Sequence, residues 1–269
     1  MNVQELQAVA KQVRRDIIIM TNKAGAGHPG GSLSATEALV ALYFDVMQGI
    51  DPRDDKNPNR DRFVLSKGHT APGLYSVLAN RGYFPVEDLP TLRHLGSYLQ
   101  GHPCMQETPG VDMSSGSLGQ GISAAVGMAV AGKMDNASYR VYTLLGDGEL
   151  QEGSVWEAAM NAAHYNLNNI TAIVDRNRLQ IDGCTEKVMA VGDVAKKFES
   201  FGWNTVEIDG HNIQEIYKAL EDSKNSEKPT VIVANTIKGK GVSYMENQAG
   251  WHGKCPNDEQ LAQALAELN

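Results

Sequence analysis

A short acidic turn, Gly146-Asp147-Gly148, ends one apolar segment of the chain, and Asn177 ends the next. A carboxylate between glycines can bring an oxygen and an unhindered backbone close to a bound phosphate. The amide oxygen of Asn177 and the backbone carbonyl of Leu179 could reach the same cation. Oxygen ligands of this kind suit Mg²⁺ or Ca²⁺, with ligand phosphates and water completing the shell. Alone, a GDG tripeptide is more often an ordinary surface turn, so the metal interpretation depends on the rest of the chain.

Four of the seven histidines lie in loops that contain glycine or proline, at predicted ends of strands or helices: His28, His69, His102 and His252. A lone histidine is more often a packing or surface residue, but this repeated placement favours a role in proton transfer. Lys238 also follows a predicted strand, although it could equally be a solvated lysine. His94 and His211 are interpreted as surface residues, and His164 as a structural residue within a helix.

The elements that must position these residues alternate along the second half of the chain. Apolar segments predict strands at 62–66, 140–145, 170–175, 204–208 and 230–234, and helical patterns separate the last four at 155–165, 191–201 and 213–224. Apolar strands separated by helices predict an α/β fold, in which helices cover both faces of a parallel sheet. Ligands bind beyond the carboxyl ends of the strands in such sheets. His69, Asp147, Asn177 and Lys238 each follow a predicted strand.

The first half of the chain is predicted to be helical, with irregular connections. Helical spacing from Leu6 to Met20 leads into a glycine-rich segment at 24–31, expected to be a flexible loop, and further helices are predicted at 35–47 and 71–81. A long segment from 84 to 117 has weak periodicity, and a helix of small residues at 120–134 follows it. Ser154 with Glu157, and Asn257 with Gln260, have the spacing of capping boxes at helix starts.

Composition limits the classes of protein to which the chain could belong. The 269 residues suit one large domain, and 24 basic against 32 acidic residues with no basic run argue against nucleic acid or an anionic membrane as a partner. No apolar run is long enough to cross a bilayer, and no leader segment is evident. The three cysteines, Cys104, Cys184 and Cys255, lack CxxC spacing. A reducing compartment, and hence a cytoplasmic location, is expected.

Five motifs together resemble the transketolases. GDGELQEGSVWEAA followed by VDRNRL is similar to the thiamine-diphosphate signature of that family, and AGHPGG, LSKGH, SSGSLGQG and the pair TIKGKG with WHGK agree with it in order. The resemblance covers nearly the whole chain. It implies the thiamine-diphosphate-binding (PP-type) fold and a single PP domain spanning residues 1–269.

The resemblance implies a set of cofactor ligands. Asp147, Asn177 and the Leu179 carbonyl would bind Mg²⁺, with Ca²⁺ or Mn²⁺ as substitutes, and the metal would bridge the two phosphates of thiamine diphosphate. Gly148 would offer its backbone N–H to the diphosphate. The rings of the cofactor would lie against a further three-residue segment, Gly116, Ser117 and Leu118. Many transketolases have proline where this chain has serine at 117.

The resemblance also implies roles in catalysis and substrate binding. His69, Lys238 and His252 match contacts to the diphosphate or the substrate, whereas His28 and His102 match histidines around the donor sugar. Glu152 resembles a carboxylate at the interface with a pyrimidine-binding domain, where it orients that domain's catalytic glutamate. The expected catalytic residues are therefore His28, His69, His102, His252 and Glu152.

No residue of this chain matches the catalytic glutamate. The resemblance therefore implies the N-terminal subunit of a split transketolase, whose partner chain carries the pyrimidine-binding and C-terminal domains in an α2β2 heterotetramer. The small-residue helix and the glycine loops are expected to face that partner. The implied reaction moves a two-carbon ketol unit from a ketose phosphate to an aldose phosphate, in the pentose phosphate pathway or in a specialised route such as the breakdown of a sulfonated sugar.

Three other interpretations stay open at this point. The α-subunit of a 2-oxo-acid dehydrogenase is also a separate diphosphate-binding chain, although LSKGH, GSLGQG and WHGK fit it less well. Deoxyxylulose-phosphate synthase shares the GDG signature but is one long chain. A non-catalytic module that only holds the cofactor would not need His28 and His102.

Overall fold

A five-stranded parallel sheet forms the centre of the protein, which we describe from a computed structural model covering residues 1–269. Its strand order is β1-β2-β3-β7-β6, and every neighbouring pair is parallel. The strands are β1 (Arg62–Leu65), β2 (Val141–Gly146), β3 (Ile170–Arg176), β6 (Asn204–Asp209) and β7 (Thr230–Asn235). A two-stranded antiparallel hairpin, β4 (Leu179–Gln180) and β5 (Gly183–Cys184), follows β3. The predicted parallel sheet is confirmed.

Helices cover both faces of this sheet because alternate side chains of each strand point to opposite sides. Phe63, Tyr142 and Ile173 belong to one hydrophobic core, whereas Val64 and Val174 belong to the other. The helices are α1 (Val3–Ala24), α2 (Pro29–Ser34), α3 (Thr36–Ala41), α4 (Ala71–Arg81), α5 (Gln120–Met134), α6 (Gly153–His164), α7 (Thr185–Val188), α8 (Val194–Ser200), α9 (Ile213–Lys224) and α10 (Asp258–Glu267). Helices α1, α3, α4 and α9 pack on the first core, and α5, α6 and α8 pack on the second.

The second half of the glycine-rich segment is helical, although its composition predicts a flexible loop throughout. Pro29 to Ser34 form helix α2, and all six residues are buried. A Cβ at Gly30 would lie 2.7 Å from the Trp251 carbonyl oxygen, so glycine is needed there for close packing between two chain segments. The helix predicted at 35–47 is instead α3 followed by one π-helical turn at Leu42–Val46.

The two predicted capping boxes have different outcomes. Asn257 and Gln260 form both hydrogen bonds of the motif at the start of α10. The prediction for Ser154 and Glu157 is wrong, because α6 begins at Gly153, two residues before the predicted start, with Glu152 at the N-cap and no side-chain cap.

The remaining connections agree with the sequence-based expectations. Apart from a 3₁₀ segment at Val86–Thr91, the chain between α4 and α5 is irregular, as its weak periodicity predicts.

None of the helices combines the length and apolar character that crossing a membrane requires. The three cysteines are half-buried and form no disulfide.

Candidate functional site

A cavity of about 350 Å³ opens at the carboxyl edge of the sheet, and only three of the 18 residues that line it are hydrophobic. Most of the residues predicted for the site meet there: His28, His69, Gly116, Leu118, Asp147, Gly148, Glu152, Asn177, Leu179, Lys238 and His252. Ser117 and His102 are the two predicted site residues that do not line it. The cavity therefore joins loops that are far apart in sequence, as the position of parallel strand ends requires.

Asp147 is a buried carboxylate without a basic partner. It is 2% exposed, and its two oxygens accept hydrogen bonds from the backbone N–H groups of Gly148 at 2.8 Å and Arg178 at 2.5 Å. Burial, followed by the nearby charge of Asp175, raises the pKa of Asp147 to about 6. A carboxylate held in this way gains from a cation placed beside it.

Asn177 and Leu179 extend the oxygen-rich side of the cavity. The Asn177 side chain donates to Asp175 Oδ2 at 3.1 Å, and its Oδ1 accepts from the Leu179 N–H at 3.1 Å. The Leu179 carbonyl accepts from Lys238 Nζ at 3.3 Å. No group of three His, Cys, Asp or Glu side chains could hold a metal without help. One carboxylate, one amide and one carbonyl fit Mg²⁺, which usually completes its shell with phosphate and water oxygens.

Three imidazoles and a lysine form a basic side of the cavity, which meets the oxygen-rich side where Lys238 contacts the Leu179 carbonyl. The ring centroids of His28, His69 and His252 lie 5.1–5.3 Å apart, and Lys238 Nζ lies 2.9 Å from His252 Nδ1. Burial lowers the pKa of His28 to about 4, that of His252 to about 3 and that of Lys238 to about 8. Burial also lowers the pKa of His69.

At neutral pH this side therefore presents neutral imidazoles beside a cationic lysine. Because Lys238 donates to His252 Nδ1, the other ring nitrogen of His252 carries the proton and is available as a donor. His28 Nδ1 is buried and has no hydrogen-bond partner within the chain. Buried polar atoms are normally paired, so this nitrogen is suited to contact a bound ligand.

Gly116, Leu118 and Glu152 form the part of the cavity nearest α5 and α6. Gly116 has φ +149°, and a Cβ at Gly68 would lie 2.7 Å from its backbone nitrogen, so the two loops approach closely. Leu118 is one of the few apolar residues in the lining. Glu152 is exposed at the N-cap of α6, where its carboxylate can meet another chain.

His102 and Ser117 lie beside this cavity. His102 lines a neighbouring shallow depression, and a Cβ at Gly116 would lie 3.0 Å from its ring. Ser117 is exposed between two lining residues. The roles predicted for these two residues stay predictions.

Two buried charge clusters that sequence reasoning missed support the site. Lys67, at the end of β1, forms an ion pair with Asp175, at the end of β3, and both side chains are at most 2% exposed. Glu149 is also buried and accepts hydrogen bonds from Ser66 Oγ at 2.5 Å and from the Gly119 N–H at 2.9 Å. Burial raises the pKa of Glu149 above its usual range. For Lys67 and Asp175 the signal in the sequence is a charged residue at, or just beyond, the end of an otherwise apolar strand.

Residues 6–268 match the sequence family described as the transketolase, thiamine diphosphate binding domain. The chain belongs to the transketolase family. The resemblance drawn from the five sequence motifs is thus confirmed. This match does not support the 2-oxo-acid dehydrogenase and deoxyxylulose-phosphate synthase alternatives.

Similar curated proteins include separate transketolase subunits and single-chain transketolases. The 6-deoxy-6-sulfo-D-fructose transketolase subunit SqwG of Clostridium sp. (strain MSTE9) is 47% identical over 98% of this chain and 96% of its own length. One subunit of the apulose-4-phosphate transketolase of Actinobacillus succinogenes is 44% identical, with the same coverage. Mouse transketolase is also 44% identical over 99% of this chain, but the match spans only 42% of that protein.

Solved transketolase structures have the same fold. The transketolase of Campylobacter jejuni superposes with a TM-score of 0.94 at 35% sequence identity, over 100% of this chain and 43% of that chain. A Pichia stipitis transketolase variant superposes with a TM-score of 0.92 at the same identity, over 98% of this chain and 40% of that chain. The chain thus corresponds to somewhat less than half of a single-chain transketolase.

Proposed function

We propose that the chain is the N-terminal, diphosphate-binding subunit of a split transketolase, which transfers a two-carbon ketol unit from a ketose phosphate to an aldose phosphate. The observation that carries the proposal is the arrangement of one cavity. A buried carboxylate without a basic partner, Asp147, lies on one side, and Lys238 with three neutral histidines lies on the other. A metal-bound diphosphate would complement both sides.

In this proposal Asp147, Asn177 and the Leu179 carbonyl hold Mg²⁺, and the N–H of Gly148 meets the diphosphate. The residues present fit both groups, because the Asp147 carboxylate has no cationic partner in an ion pair and the Lys238 ammonium has no anionic one. When bound, thiamine diphosphate supplies a ring that accepts the electrons released as the C2–C3 bond of the ketose breaks. Ca²⁺ or Mn²⁺ would substitute, since both accept oxygen ligands.

The histidines of the chain bind the sugar and move its protons. Their lowered pKa values keep His28, His69 and His252 neutral near pH 7, so each ring offers one donor and one acceptor. A neutral imidazole beside a sugar hydroxyl can accept its proton as the carbon–carbon bond breaks and return it afterwards. His252, with Nδ1 occupied by Lys238, acts first as a donor to developing oxygen charge.

A partner chain would complete the site. The two subunit relatives match this chain over nearly their whole length, which supports a separate subunit here too. We assign to the partner the pyrimidine-binding domain with its catalytic glutamate, the C-terminal domain and most contacts to the sugar phosphate, in an α2β2 assembly. In this proposal Glu152, exposed at the rim of the cavity, meets that glutamate, and His102 faces the donor sugar once the partner closes the site.

The open side of α5 is the face we assign to the partner. Ser123, Gly127 and Ala131 recur every fourth residue and are all exposed, which leaves a shallow groove beside α6. Small residues let another backbone approach closely. We further propose that the enzyme is cytoplasmic and that it acts either in the pentose phosphate pathway or in a specialised route of sugar metabolism.

The experiment is reconstitution of activity from separate subunits. The chain alone should transfer no ketol unit from xylulose 5-phosphate to ribose 5-phosphate, and it should do so after mixing with the product of an adjacent gene that encodes a transketolase-like C-terminal half. The control mixture contains the partner without this chain. Robust activity from the chain alone would contradict the split-enzyme proposal.

A further inference from the structure

His211 is largely buried, which corrects its interpretation as a surface residue. Its side chain is 12% exposed and lies in the turn Asp209-Gly210-His211 after β6. The Asp209 side chain accepts from the His211 N–H at 2.9 Å, which fixes the turn. A Cβ at Gly210 would lie 2.4 Å from the Thr236 side chain, so the turn packs directly against the end of β7.

Both ring nitrogens of His211 are used, and together they define its tautomer. The backbone N–H of Ile237 donates to Nε2 at 2.8 Å, so Nε2 is the acceptor. Nδ1 therefore carries the proton and donates to Glu37 Oε2 at 3.1 Å. Glu37 is in turn paired with Arg14, and both side chains are at most 9% exposed. Burial would raise the pKa of Glu37, but the charge of Arg14 and the hydrogen bond from His211 lower it, so Glu37 stays ionised.

The same network contacts the segment Thr236-Ile237-Lys238-Gly239-Lys240 at Ile237 and at Lys240. His211 binds the N–H of Ile237, and Arg14 Nε donates to the Lys240 carbonyl at 3.0 Å. Between these two points the side chain of Lys238 enters the cavity, where it contacts His252 Nδ1 and the Leu179 carbonyl. The network therefore helps to hold the backbone on both sides of Lys238, together with the bonds from the Asn247 N–H to the Lys238 carbonyl and from the Gly239 N–H to the Gly30 carbonyl.

We propose that His211, held by Glu37 and Arg14, is a positioning residue that sets the backbone at Ile237 and so places Lys238 for binding the diphosphate. His211 does not line the cavity and acts only through the neighbouring residue. The inference rests on the proposed function in one respect, the contact between Lys238 and the cofactor. Its test therefore measures binding without turnover.

Two substitutions of His211 separate its two hydrogen bonds. His211→Gln places an amide oxygen near the position of Nε2 and keeps an acceptor for Ile237. His211→Asn places an amide nitrogen near Nδ1, keeps the bond to Glu37 and loses that acceptor. The binding of thiamine diphosphate is measured by calorimetric titration at saturating Mg²⁺, with the full chain assembled with its partner subunit. The His211→Asn variant should show a dissociation constant about three- to tenfold higher, which corresponds to the loss of one hydrogen bond. Gln should stay within about twofold of the unchanged chain.

A double-mutant cycle with Lys238→Met tests whether the effect passes through Lys238. On that background His211→Asn should change the dissociation constant by less than about twofold, because the group it positions is gone. Equal effects of Asn and Gln, or an Asn effect of the same size on both backgrounds, would overturn the proposal. The exposed His164, substituted by Asn, is the matched control and should not alter the affinity.

Thermal unfolding shows whether each variant retains its structure. If His211→Asn does not fold, His211→Ala replaces it, because alanine also removes the acceptor for the Ile237 N–H. A weakened affinity that disappears on the Lys238→Met background supports the proposal, and an effect that persists there contradicts it. Absence of ketol transfer by the unchanged complex would refute the proposed function and leave these binding constants as a separate result.

Discussion

The ion pair between Lys67 and Asp175 should be among the most important single interactions for stability. Both side chains are at most 2% exposed, and Asp175 also accepts hydrogen bonds from Ser34 Oγ at 2.6 Å, from Thr236 Oγ1 and from Asn177. Lys67→Met keeps the apolar stem of the lysine and removes its charge. The carboxylate would then be buried with only neutral donors around it.

Removing one member of a buried ion pair typically costs about 3–5 kcal/mol, because the other charge is left without compensation. Because three neutral donors remain around Asp175, Lys67→Met should lower the free energy of unfolding by about 3 kcal/mol, the lower end of that range. Adding Asp175→Asn removes the second charge. The double variant should therefore be more stable than the sum of the two single changes predicts, by about 2 kcal/mol.

Urea unfolding of the full chain without cofactor, followed by circular dichroism, measures these free energies. The matched control is Lys218→Met in the exposed pair Lys218–Asp222, whose side chains are 77% and 60% exposed. That change should cost less than about 0.5 kcal/mol. A loss below about 1 kcal/mol for Lys67→Met, or strict additivity in the double variant, would refute the reasoning.

Three further predictions concern the cofactor, the packing of α2 and assembly. Burial raises the pKa of Asp147 to about 6, and protonation of this carboxylate competes with the metal. The Mg²⁺-dependent affinity of the assembled complex for thiamine diphosphate should therefore fall about tenfold from pH 7 to pH 5. This figure applies after correction for the ionisation of the cofactor's own phosphate. A flat calorimetric profile would contradict this. Gly30→Ala should lower the free energy of unfolding by about 1–3 kcal/mol, because the added methyl group clashes with the Trp251 carbonyl. The control Gly250→Ala, whose methyl group meets open space, should not lower it. Equal urea midpoints for the two variants would contradict this contact. Gly127→Trp on the exposed side of α5 should leave the fold intact and block assembly with the partner, as measured by sedimentation, and unchanged assembly would exclude this face.

The sheet and most of the cavity could be predicted because their signals are local. Apolar strands end abruptly at polar residues such as Asp147 and Asn177, and the parallel topology brings those ends together. The glycine-rich segment was misjudged for a physical reason. Glycine at position 30 provides close packing against Trp251, which composition alone cannot distinguish from flexibility.

The supporting network was harder to predict because its members are far apart in sequence. His211 and Glu37 are separated by 174 positions, and nothing near either residue indicates the other. Lys67 and Asp175 had a weak signal, since each stands at the end of an apolar strand, but their pairing depends on tertiary structure. Residues that face the ligand are thus easier to predict from sequence than those that hold them in place.

Metal-dependent cofactor binding is the most direct test of the central claim, that this chain anchors the diphosphate of the cofactor. Thiamine diphosphate is titrated calorimetrically into the assembled complex with Mg²⁺ and, separately, with chelator present. The unchanged complex should bind only with Mg²⁺, and the complex with Asp147→Ala should show no Mg²⁺-dependent binding. Undiminished Mg²⁺-dependent binding by the Asp147→Ala complex would contradict the account.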